Sequence, residues 1–176
     1  MTLRTWRRLF VIGFAVLILQ VGLFQQVSIG GAHPDLFLLL AISAGLLAGP
    51  QYGAVVGFLT GLVADLFVVT PFGLSALCYV ILAFTIGHTA SLPGGRAPYT
   101  FRVAATFVAS VGGTLLFAGL AILMGQPHIP RSQLLNVILV VSSANAILAI
   151  PATSALRWVF SGTSKSRSEV AAAGAR

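Results

Sequence analysis

Polar positions are sparse along this chain, and they cut it into apolar runs of membrane-crossing length. Arg4, Arg7 and Arg8 precede a first run from Leu9 to about Val27, whose far end is marked by Gln20, Gln25 and Gln26. A cleaved signal peptide begins in the same way, and Gly30-Gly31-Ala32 would offer small residues at a cleavage site. The apolar core of such peptides is usually only about 7–15 residues, so the longer run predicts a retained anchor. Ser28 to Pro34 reads as a turn, and Pro34-Asp35 as a helix start. Proline suits the first helical turn, and aspartate accepts from the free N–H groups there.

From Leu36 the chain is apolar to Ala48, meets Gly49-Pro50-Gln51-Tyr52-Gly53, and is apolar again to about Val69. A single helix through Pro50 would exceed the roughly 20 residues that a bilayer needs, so the alternative is a tight hairpin at Gly49-Pro50. Charge decides between them. With one crossing, Arg96 and Arg102 fall opposite Arg4, Arg7 and Arg8, against the bias of Lys and Arg to the cytoplasmic side; with the hairpin they fall together. The rest follows the hairpin version: an outer turn at Thr70-Pro71-Phe72-Gly73, a crossing from Leu74 to Ala90, and an inner loop from Ser91 to Phe101. Val103 to Met124, an outer loop from Gly125 to Arg131, and Leu134 to about Phe160 complete the layout. Nine of the ten basic residues then face the cytoplasm, and only Arg131 lies outside. The expected fold is all-α: a polytopic membrane protein of six transmembrane helices over residues 1–160, both termini cytoplasmic, with a disordered tail over 161–176. The run from Leu36 to Ala48 is short for a full span, so it either tilts, draws Pro34-Asp35 in from the interface, or enters partway.

Composition agrees with this reading. The 176 residues are 57% hydrophobic and 7% charged, far from the roughly 25% charged content of soluble domains. A net charge of +7 would suggest nucleic acid in a soluble protein, but here the cations sit at the ends and connections and read as topology signals and lipid-headgroup contacts. Cys78 is the single cysteine, and His33, His88 and His128 are far apart, so neither metal nor cofactor is expected.

Gly53, Gly57 and Gly61 repeat every fourth residue and so form a bare helical stripe leading to Asp65. In water each glycine would cost about 1 kcal/mol against alanine, whereas in lipid a bare stripe admits a neighbouring helix. Gly45 and Gly49 extend the same pattern. Asp65 is the only ionisable residue inside a predicted span, and is expected to hold Arg131 or the N–H groups of the Pro71-Phe72-Gly73 turn. Asp35 is expected to cap its helix. Ser142, Ser143 and Asn145 lack a histidine or acid at activating spacing, and read as interhelical glue, with Pro151 free to kink the same helix. Catalysis has almost no groups to work with.

The ordered set Pro34-Asp35-Leu36, Gly49-Pro50, Tyr52-Gly53, Gly57-Phe58, Gly61-Leu62, Asp65-Leu66, Pro71-Phe72-Gly73-Leu74 and Tyr79 resembles the rod shape-determining protein MreD family. The likeness implies a non-catalytic inner-membrane subunit of the cell-elongation machinery, partnered by MreC and, through it, by MreB and the RodA and class B penicillin-binding protein pair that makes peptidoglycan. It also implies a layout similar to the S components of energy-coupling-factor transporters, and hence a second reading as the substrate-binding subunit of a vitamin or small-solute transporter. That reading expects an outer-facing pocket near Asp35, Asp65 and Asn145. In the scaffold reading the helix-packing or partner-binding residues are Gly53, Gly57, Gly61, Asp65, Asp35, Pro50 and Asn145. The stripe would receive the MreC helix, a second copy of the chain, or another helix of the same chain.

Overall fold

A computed structural model describes residues 3–24, 32–67, 71–90, 98–126 and 130–173. The described residues form α1 (Leu3–Leu19), continued by a π-helical turn (Gln20–Phe24), then α2 (Leu36–Ala48), α3 (Pro50–Asp65), α4 (Leu74–Ala90), α5 (Tyr99–Leu123) and α6 (Arg131–Ala173). The expected turn at Gly49-Pro50 is present and rests on one residue. Gly49 has φ 86°, a conformation open to glycine. Its N–H bonds the Gly45 carbonyl to close α2, and its own carbonyl accepts from Gly53 N–H to open α3. Pro50 follows at the first helical position, where its missing N–H leaves nothing unpaired.

α2 is buried from Leu36 through Gly45, on every face of the helix. A helix that is apolar all round belongs in an interior, and neighbours meet this one on all sides. Phe37, Leu38, Ala41 and Ile42 pack with Ala64, Cys78, Tyr79, Ala83 and Ala109; Leu40 and Ala44 pack with Val56, Leu156 and Val159; Leu36 and Leu39 pack with Ala149. Val16 of α1 touches all three groups. The shortness of α2 then has a physical account. Its 13 residues reach only about 20 Å, but protein rather than lipid surrounds them, so the helix ends can find protein partners.

Three segments among the described residues, Leu3–Gly22, Tyr99–Leu123 and Gln133–Phe160, are long and apolar enough to cross a membrane, and Leu36–Ala48 and Leu74–Ala90 are shorter apolar helices. Four boundaries differ from expectation. α1 begins at Leu3 because arginine and tryptophan continue a helix readily. α3 stops at Asp65, and the stretch up to Val69 lies partly outside the described residues. α5 begins at Tyr99, since Pro98 occupies its N-cap in an extended conformation (φ −62°, ψ 160°). α6 begins at Arg131, ahead of the expected Leu134, and runs through Pro151 to Ala173. An established helix adds residues cheaply, and Ala171 to Ala173 are strong helix formers.

The glycine stripe is covered by α4. A Cβ at Gly57 would stand 2.7 Å from the Tyr79 carbonyl oxygen, and one at Gly53 would stand 2.6 Å from Gly45 Cα and 2.9 Å from the Ala83 carbonyl oxygen. At Gly61 it would collide with Ala76 Cα, at Gly45 with the Ala83 carbonyl, and at Gly87 with Pro50, 2.6 Å from its nitrogen. Each step along α3 is thus matched by an equal step back along α4, down to the hairpin turn. Gly119, by contrast, has open space around its missing side chain.

These contacts predict opposite signs for one chemical change. Gly57→Ala should destabilise the purified protein by about 1–3 kcal/mol, because backbone must move to admit the methyl group. Gly119→Ala should leave stability unchanged or raise it by up to about 1 kcal/mol through helix propensity. Unfolding in detergent, followed by circular dichroism, compares the two variants.

Candidate functional site

At the end of the bundle opposite Gly49-Pro50, α2 and α4 begin and α3 stops. Helix starts leave N–H groups without intrahelical acceptors, and in a nonaqueous setting each needs a protein partner. Asp35, at the N-cap of α2 (φ −107°, ψ 93°), accepts from Leu38 N–H at 3.0 Å. Its second oxygen accepts from the Tyr79 hydroxyl at 2.5 Å, which ties α2 to α4. Asp65, only 5% exposed, closes α3 and caps α4: Gly73 N–H donates to it at 2.8 Å, Ser75 N–H at 3.0 Å and Ala76 N–H at 3.4 Å. Of the two roles expected for Asp65, the turn N–H groups are the ones it fills; the Arg131 side chain lies outside the described residues.

Gln20 completes this end. Its amide nitrogen donates to the Pro34 carbonyl at 3.0 Å, and its amide oxygen accepts from Leu36 N–H at 2.9 Å. One side chain therefore clamps both sides of the Asp35 peptide and holds α1 to the start of α2. It sits on the first residue of the π-helical turn, an irregularity that is frequent at functional positions. Gln25 and Gln26 lie outside the described residues.

Asn145 is fully buried on α6 and donates to the Ser110 hydroxyl of α5 at 3.1 Å, the interhelical glue expected of it. Its amide oxygen and the Ser142 hydroxyl have no hydrogen-bond partner among the described residues. Neither described recess is lined by Asp35, Asp65 or Asn145. Asp35 and Asp65 are engaged by helix ends and a tyrosine, and the larger described recess, of about 320 Å³, is an apolar groove between α1 and α3. No three His, Cys, Asp or Glu side chains gather among the described residues.

At the Gly49-Pro50 end the contacts change character. Arg8 donates to the Trp158 carbonyl at 2.9 Å and lies 4.4 Å from the centre of that indole. Arg157 donates to the Tyr99 hydroxyl at 3.2 Å, and Arg102 lies 5.2 Å from the same ring. Cations on aromatic faces thus join α1, α5 and α6 where the sequence places its inner side. Sequence reasoning named neither Gln20 as a clamp nor these pairs. It quoted Tyr79 only as part of a family pattern. Small residues at Ala76, Ala83 and Gly87 were the available signal that α4 complements the stripe.

A family model for the rod shape-determining protein MreD matches residues 2–151, from the start of α1 to Pro151 in α6. The chain belongs to this family. Searches of curated proteins and of solved structures give no match. MreD membership assigns the chain to rod-shape determination as a structural component. The capped hairpin of α2, α3 and α4 lies wholly inside the matched region.

Asp65→Ala should therefore behave as a stability variant. Stranding three N–H groups is expected to cost about 1–3 kcal/mol, read as a lower unfolding midpoint in detergent. A double-mutant cycle of Asp35→Asn with Tyr79→Phe should give a coupling of about 1 kcal/mol, whereas additive effects would mean that the hydroxyl contributes nothing to holding α2 on α4.

Proposed function

We propose that this MreD-family chain is a non-catalytic scaffold of the bacterial inner membrane, crossing it six times with both termini in the cytoplasm. It holds MreC and, through MreC, links MreB to the RodA and class B penicillin-binding protein pair during lateral cell-wall synthesis. The observation that carries the reading is the use of the polar groups. Asp35, Asp65 and Gln20 are directed at the chain's own helix ends, inside the segment that matches the family. No nucleophile paired with a base is among the described contacts, and the outward surfaces of α1, α5 and α6 carry large apolar side chains such as Val11, Ile18, Val108, Leu115, Leu139 and Ile147. Such a body associates laterally, through helix packing in the lipid.

The six-crossing orientation is supported by the gathering of Arg8, Arg102 and Arg157 toward one end of the bundle, as the cytoplasmic bias of basic residues requires. Because α4 already covers Gly53, Gly57 and Gly61, the partner helix belongs on an outer face rather than in the stripe.

Two measurements test this reading. Tagged protein produced with MreC should retain MreC through detergent purification, and recovery no greater than from an untagged control would remove the scaffold assignment. A cysteine placed at Arg96, in a Cys78→Ser background, should react with an impermeant maleimide only after the membrane is opened. Labelling in intact cells would reverse the orientation.

A further inference from the structure

The groove between α1 and α3 has a shape and a charge distribution that the scaffold role does not use. Its walls are Trp6, Leu9, Phe10, Gly13, Phe14 and Leu17 of α1, facing Val56, Leu59, Thr60 and Val63 of α3, with Phe37 and Leu40 of α2 at its base. A second recess of about 220 Å³, lined by Trp6, Leu9, Tyr52, Val55 and Val56, adjoins it toward the Gly49-Pro50 end. The one hydroxyl in the main groove, that of Thr60, donates to the carbonyls of Val56 and Gly57 in its own helix. Apart from the Trp6 indole, the other lining side chains are apolar.

We propose that this groove binds one anionic phospholipid of the cytoplasmic leaflet, with an acyl chain along α1 and the headgroup at Arg7. Length and charge argue for that occupant. From Trp6 to Leu17 the groove follows α1 for about 16 Å, which is half of the roughly 30 Å hydrocarbon thickness and so the depth of one leaflet. Trp6 and Tyr52 stand at the mouth, as aromatic residues do at headgroup level. Arg7 is exposed and shares a helix face with Phe10 and Phe14, while Arg8 turns away to Trp158 and Arg4, one turn before it, lies on the Arg8 face. Each such cation attracts anionic lipid by about 1 kcal/mol near a charged surface, a factor of about five. The proposal rests on the membrane reading and is independent of MreC.

The test uses the full chain in mixed-lipid vesicles with Trp158→Phe, which leaves Trp6 as the only tryptophan of the two in the sequence. Quenching of Trp6 by phosphatidylglycerol brominated on its acyl chains is compared with quenching by brominated phosphatidylcholine. The expected result is a preference of about fivefold or more for the anionic lipid at a single site. Arg7→Gln should bring that ratio to about one, whereas Arg4→Gln, on the other face of α1, should leave it unchanged. Gly13→Leu, whose side chain enters open groove space, should weaken quenching by both lipids while helicity and unfolding midpoint stay unchanged. Equal quenching of the parent by the two lipids would overturn the proposal, as would a preference that survives loss of Arg7. Unquenched Trp6 together with concentration-dependent energy transfer between labelled copies would assign the groove to a second copy instead.

Discussion

The structure depends on direct approach of three backbones. At the level of Ala83, α4 presents its carbonyl to positions on α2 and α3 that carry no side chain, Gly45 and Gly53, and these two glycines also meet each other. Where lipid replaces water, helices gain little from hiding apolar side chains, since the surroundings are equally apolar. What remains is dispersion between closely fitted atoms together with polar contacts between helices, and removing Cβ atoms brings more of both within reach. The contact is long because it is in register. Gly61 meets Ala76, Gly57 meets Tyr79, and Gly87 meets Pro50, so one pairing of α3 with α4 sets every level from the hairpin turn to the capped end.

That register places the polar groups. With α3 and α4 aligned, the carboxylate that ends α3 arrives over the first N–H groups of α4, and the Tyr79 hydroxyl arrives at Asp35. Caps and stripe are therefore one device. The glycines bring the helices close, and the carboxylates satisfy the helix starts that closeness encloses. Gln20 extends the device to α1 by bonding on both sides of Asp35, which explains why a helix of only 13 residues stands at the centre of the molecule without unpaired backbone at its start.

Much of this was legible in the chain. Gly49-Pro50 declared the hairpin because glycine tolerates φ 86° and proline tolerates a helix start. Asp35 declared itself as a cap by standing at a helix start, whereas Asp65, inside a predicted span, left the turn N–H groups and Arg131 both open as partners. A four-residue glycine period shows that a surface is bare without showing what lies on it, and three occupants were open until α4 was seen there. Gln20 was legible only as a polar residue near a span's end. Its role depends on the π-helical turn and on the path from α1 back to α2, neither of which leaves a local pattern. The aromatic and arginine pairs at the opposite end join residues as far apart as Arg8 and Trp158, beyond any period a single sequence can reveal.

The same economy bears on what a shape-determining membrane protein of this size can do. Asp35 and Asp65 close helix ends, Asn145 joins α5 to α6, and the Thr60 and Thr153 hydroxyls return to their own backbones. A body built in this way offers its surroundings apolar surface along its length and cations toward one end. Partners in the lipid are then distinguished by fit against helix faces, and those at the surface by charge. The α1–α3 groove is where the two kinds of recognition meet, because it begins beside Arg7 and continues among Phe10, Phe14 and Leu17. Whatever packs against the outer face of α1 must accommodate both the cations at its start and the recess below them.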